Sequence, residues 1–80
     1  MLTELKTAKK VTGAKQVTRA LKNGAARRVF LAQDADPRVT EPIQLLCQEQ
    51  GVDTETVDTM AALGAACGIA VKSAVAAVVE

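Results

Sequence analysis

Eighty residues, 49% hydrophobic and 24% charged, describe one small folded domain with a modest core rather than a disordered chain. The formal net charge of +1 hides a division: residues 1–33 carry eight Lys or Arg against Glu4 alone, a balance of +7, while residues 34–80 carry Arg38 and Lys72 against eight acids, −6. Histidine is absent, the two cysteines are far apart and Phe30 is the single aromatic residue, which excludes the usual zinc sites, His-activated nucleophiles and base-stacking RNA platforms.

Leu2, Leu5 and Ala8 recur at a helical interval, so residues 1–10 are expected to form a helix. Thr3 is its candidate N-cap, and Lys6, Lys9 and Lys10 suit its C-terminal end. Met1 opens a mixed polar segment with no signal peptide, and no apolar run reaches membrane-spanning length. The expectation is a soluble cytoplasmic monomer with no membrane partner. Val11-Thr12 is β-prone and short, an edge strand leading into Gly13, whose backbone shape a side chain would forbid.

A helix over 14–23 follows, with Gly24 as its stop. Lys15, Arg19 and Lys22 stand at i, i+4 and i+7 and share one face, while Ala14, Val17 and Leu21 gather opposite. The first turn of such a helix offers backbone N–H groups and the positive end of the macrodipole. A basic face starting there is suited to a run of phosphates; a solvated amphipathic helix docked on a core is the plainer alternative.

Residues 27–32 read as a strand buried on both faces, and residues 33–37 as a turn with Asp36 as N-cap and Pro37 at N1. Pro42 leaves open a later helix start at Thr40-Glu41. Val39, Ile43, Leu46, Cys47 and Gln50 mark one face of this helix, which Gly51 ends. Residues 52–57 suit a more exposed strand, and Asp58 or Thr59 can cap a short helix over 60–67 with Met60, Leu63 and Ala66 or Cys67 inward. Residues 68–72 form a loop, and residues 74–79 a buried closing strand. The alternation predicts an α/β chain: a three-layer α/β/α sandwich on a small mixed sheet.

Catalytic and metal chemistry find no constellation here, and no cofactor is expected. Asp34 and Asp36 are the one tight carboxylate pair, which turn and capping chemistry explains. Gly64-Ala-Ala-Cys-Gly68 is neither a dinucleotide fingerprint nor a P-loop, and its glycines are read as ending the short helix and shaping the loop. Cys47 and Cys67 are read as small buried hydrophobes.

Gly13-Ala-Lys-Gln-Val-Thr-Arg-Ala-Leu-Lys-Asn-Gly24 resembles the Gly-x-Asn-Glu-x-Thr-Lys-x-x-x-x-Gly signature of the ribosomal protein L-seven-Ae family of kink-turn RNA binders. The resemblance continues through Phe30-Leu-Ala-Gln-Asp-Ala-Asp-Pro37, Leu45-Leu-Cys-Gln-Glu-Gln-Gly-Val52 and Leu63-Gly-Ala-Ala-Cys-Gly-Ile-Ala-Val71, in the family's order and over nearly the whole chain. The compact length and the Lys15-Gln16 pair are similar to the bacterial branch of small ribosomal-protein-like homologues.

The resemblance implies a single RNA-binding domain over residues 1–80 and a non-enzymatic protein that stabilises kink-turns in ribosomal or regulatory RNA. Its partners would be RNA and the ribosome or another ribonucleoprotein. The helix after Gly13 would enter the major groove where the kink widens it, since an undistorted A-form groove is too narrow for side chains. The family's guanine-reading Asn-Glu pair and following Lys correspond to Lys15, Gln16 and Arg19, with Gly13 and Ala14 at the contact and Lys22 on the same basic face. The segment from Gly64 to Val71 would flank the kink through Gly64, Ala65, Cys67 and Gly68, with Ile69 and Val71 against an extruded nucleotide. Two departures stand out: Lys15-Gln16 replaces Asn-Glu, and residues 58–62 and Ala65 lack the family's basic side chains. A different reading makes the acidic half a protein-docking surface in ribosome assembly.

Overall fold

The structure, a computed structural model, describes residues 9–69 and 71–79. In chain order it comprises β1 (Lys10–Thr12), α1 (Ala14–Lys22), β2 (Arg28–Ala32), α2 (Pro37–Gln50), β3 (Asp53–Val57), α3 (Met60–Ala66) and β4 (Val75–Val78). The helix expected over 1–10 lies outside the described residues as far as residue 8, and its far end is corrected: Lys10 already belongs to β1. A ladder begun at Lys10, opposite Val78, overrides local helical spacing there.

The four strands form one mixed sheet in the order β1-β4-β2-β3. β4 runs antiparallel to both neighbours and β2 pairs in parallel with β3, so β1, β2 and β3 share one direction. The two central strands carry the burial. Phe30, Val29, Val75, Ala76 and Ala77 are fully enclosed, as expected for strands covered on both faces. β3 at the edge is exposed except for Glu55, which is half-buried, and Val57, which is buried.

Side-chain alternation distributes the core between two layers. On one face Val29, Leu31, Val75 and Ala77 meet Val17, Ala20 and Leu21 of α1 and Ile43 and Cys47 of α2. On the other, Phe30, Ala32, Ala76 and Val78 meet Leu63, Ala66 and Cys67 at α3. The result is a three-layer α/β/α arrangement.

Local chemistry explains the helix bounds. Asp36 accepts from the Arg38 amide at 2.9 Å, and Pro37 takes the first helical position. α2 therefore begins there and runs through Pro42, which settles the alternative start at Thr40-Glu41. Of the two candidate caps of α3, Thr59 takes the role, accepting from Ala62 at 3.0 Å. Gly64 does not end that helix. It lies inside it, buried, where a β-carbon would collide with the carbonyl oxygen of Val71. Gly68 follows the Cys67 cap instead. Among the described residues no helix is long and apolar enough to cross a membrane.

Candidate nucleic-acid interface

β1, β2 and β3 are each followed at once by a helix, so α1, α2 and α3 all begin at the same edge of the sheet. That edge collects the amino ends of three helices and their partial positive charge. Backbone bonds hold it together. The Gly13 amide donates to the Val75 carbonyl at 3.1 Å, the Gln33 amide to Val57 at 2.7 Å and the Ser73 amide to Met60 at 3.1 Å. Asp34 adds a side-chain tie, its carboxylate accepting from the Met60 amide at 2.7 Å.

α1 is the start that lacks a side-chain cap, whereas Asp36 caps α2 and Thr59 caps α3. Gly13 adopts φ 91°, ψ 148°, a backbone conformation that L side chains rarely take. Nothing stands within 4 Å of where its β-carbon would lie, so the glycine is required by conformation rather than by space. No side chain caps the first turn, and no acidic residue occupies it. An uncapped first turn leaves its backbone N–H groups without a side-chain acceptor among the described residues, as an external acceptor requires.

The helix presents the two faces that its spacing implies. Val17 and Leu21 are buried and Ala14 is half-buried, whereas Lys15, Gln16, Arg19 and Lys22 are all exposed. Neither ion pair between described side chains involves Lys15, Arg19 or Lys22; one joins Arg38 to Asp36 at 2.8 Å, the other Arg28 to Glu55 at 3.9 Å. The Arg38 guanidinium holds the Asp36 carboxyl below the usual carboxylate range and is itself raised by that bond. The acidic neighbour Asp36 is thus matched within its own turn.

The second segment returns to the same edge after α3. Val71 is 69% exposed, Ala65 and Gly68 are exposed, and Ile69 is half-buried against the α3-side core. Gly64 and Cys67 are buried, so neither presents a side chain to the surface. Burial pushes the Cys67 thiol up, opposed by the charge of Lys10, and burial likewise raises Cys47. Gly64 and Ala65 belong to α3 rather than to the loop. Spacing alone did not reveal Asp34 as the tie between the β2–α2 turn and α3, nor Lys72 as an exposed cation beside Val71. The first depends on a 26-residue separation that has no local signal.

With its one aromatic ring enclosed at Phe30, this surface cannot stack bases on rings. It offers amides, guanidinium and ammonium groups, an amide side chain at Gln16 and an apolar patch at Val71, an arrangement suited to a phosphate-bearing ligand of defined shape.

The chain is similar to an RNA-binding protein of Bacillus pumilus, 44% identical over 68 residues covering 85% of this chain and 83% of the relative. It is 42% identical over 69 residues to an RNA-binding protein of Caldanaerobacter subterraneus, covering 86% and 84%. Among solved structures, the Giardia lamblia 15.5kD RNA binding protein superimposes with a TM-score of 0.90 at 29% identity, over 99% of this chain and 70% of that one. The model of the Ribosomal protein L7Ae/L30e/S12e/Gadd45 family matches residues 2–80, and the chain belongs to that family.

Proposed function

We propose that this protein binds RNA and stabilises a kink-turn, a bent duplex in which tandem sheared G·A pairs lie beside a bulge. The observation that carries the reading is the uncapped start of α1, whose exposed Lys15, Gln16 and Arg19 lie on the edge to which the Val71 loop returns. Relatives named as RNA-binding proteins and the family match support RNA as the ligand.

The mechanism is selection among RNA conformers. An extended stem keeps a deep, narrow major groove that bars side chains, whereas a kink widens it enough to admit α1. Gln16 carries both donors and an acceptor for a base edge. Arg19 presents a planar fork that matches guanine O6 and N7 or a phosphate, and Lys15 adds a point charge. Val71 and Ile69 supply apolar area for a nucleotide expelled from the stack. Because these contacts form better with the bent RNA, binding shifts the population towards it without any covalent step. The protein acts in this reading as a non-enzymatic component of a ribonucleoprotein.

The test compares an RNA with tandem G·A pairs beside a bulge with the same stem lacking the bulge. Preferential binding of the bulged RNA supports the proposal. Equal affinity for both reduces the surface to general polyanion attraction and overturns it.

A further inference from the structure

Among the described residues the large apolar side chains left exposed are Val71, at the candidate interface, and Leu45, 61% exposed on α2. α2 packs on α1, β2 and β3, and its buried side chains are Ile43 and Cys47. Leu45 stands two residues from each of them, about 200° around the helix, and so points away from the molecule. It is one wall of an open depression of about 320 Å³ whose other walls are Glu41, Gln44 and Gln48.

These four positions are i, i+3, i+4 and i+7. Residues three and four apart are neighbours on a helix surface, so the four enclose a single diamond. Such a diamond is the hole that receives a side chain of a second helix when two helices interlock.

The charges around the hole select what enters it. Glu41 and Glu49 lie one turn before and one turn after Leu45, about 12 Å apart along the axis. Both are exposed, and the two ion pairs between described side chains involve neither of them. Arg38, the cation on the same stripe, is held by Asp36 at 2.8 Å. Two open carboxylates repel phosphate, which disfavours nucleic acid here. They also disfavour a second copy of the chain. Antiparallel packing of two α2 helices across the hole sets Glu41 of each copy level with Glu49 of the other, and parallel packing sets like residue against like. A foreign helix with lysine or arginine one turn to either side of its apolar side chain matches both carboxylates.

We propose that the outer face of α2 docks an amphipathic helix of another protein, with a leucine-sized side chain in the hole and flanking Lys or Arg residues against Glu41 and Glu49. The hole lies over the middle turns of α2, beyond the edge at which the helices start. The proposal goes beyond the RNA-binding reading and shares no residue with it.

The probe is a stapled helical peptide with one leucine and a lysine four residues to either side, titrated into the isotopically labelled chain and followed by amide NMR. Saturable shifts confined to α2 around residues 41–49 are expected. Alanine in place of the peptide's leucine should weaken binding about tenfold, the loss of one buried leucine side chain. Glutamate in place of its lysines should abolish the shifts. Glu41→Lys/Glu49→Lys should weaken the lysine peptide roughly fivefold and restore binding of the glutamate peptide. No saturable shift, shifts centred outside α2, or equal binding of the two peptides by the parental chain overturns the proposal. The peptide comparison needs no variant, so the result does not depend on the double substitution folding. Sedimentation of the chain alone should show a monomer; a dimer that Leu45→Lys dissociates would assign the hole to a second copy and overturn the proposal as well.

Discussion

The carbonyl oxygen of Val71 stands where a β-carbon on Gly64 would have to be. α3 and the loop that follows it are therefore in backbone contact, and only hydrogen at position 64 permits that approach. The exposed position of Val71 at the candidate interface depends on a buried residue that presents nothing to a ligand.

Gly64→Ala is expected to destabilise the fold by about 1–3 kcal/mol, because the loop backbone must move to admit a methyl group. Thermal unfolding checks this, and an unchanged Tm would show that the loop yields freely. The same variant should bind RNA more weakly at a temperature where it is fully folded, since Val71 is displaced.

Arg19→Ala should leave stability nearly unchanged, as the side chain is exposed, and should weaken binding to the bulged RNA by about 1–3 kcal/mol. Titrations at several salt concentrations separate its roles. A loss equal for bulged and unbulged stems means a phosphate contact, whereas a loss confined to the bulged RNA means that Arg19 reads the kink.

Val71→Asp tests the apolar patch. At 69% exposure the residue contributes little to the core, so Tm should shift only slightly. Affinity for the bulged RNA should fall at least tenfold, because a carboxylate replaces apolar area and faces phosphate. Parental affinity would remove the loop from the interface.

Cys47 and Cys67 are free and buried. A thiol-selective reagent near pH 7.5 should modify them slowly in the native protein and rapidly in denaturant, because burial withholds the thiolate. Each thiol titrates above its ordinary 9.0 in the folded chain, so the unfolded chain releases protons first. Stability from this source is complete below about pH 9 and declines as pH rises past it. Denaturant midpoints measured from pH 8 to 10 should therefore fall, and less so in a Cys47→Ala/Cys67→Ala variant.

Thr59→Ala removes the cap of α3 and should cost about 1 kcal/mol by denaturant titration. Asp34→Ala releases the Met60 amide from its side-chain partner and should cost about as much. Their effects should combine non-additively, since both anchor the same helix end.

By itself the sequence determined the elements whose signals are local. The amphipathic spacing of α1, the Asp36-Pro37 start of α2, its stop at Gly51 and the apolar run of β2 each depend on interactions within a few residues, and each was legible in advance. The exposure of Lys15, Arg19 and Lys22 belongs with them, because helical spacing sets them opposite the buried Val17 and Leu21. Position 10 was misread where strand pairing with Val78 outweighs helical spacing, and Gly64 was misread where contact with a loop seven residues on, not helix termination, requires glycine.

Only the tertiary structure decided what those elements do together. Strand order and direction bring three helix starts to one edge and join Gly13 to Val75 across 62 positions of chain. These are non-local pairings, chosen by burial of the whole sheet between two layers, and no short stretch of the chain carries the energy that selects them.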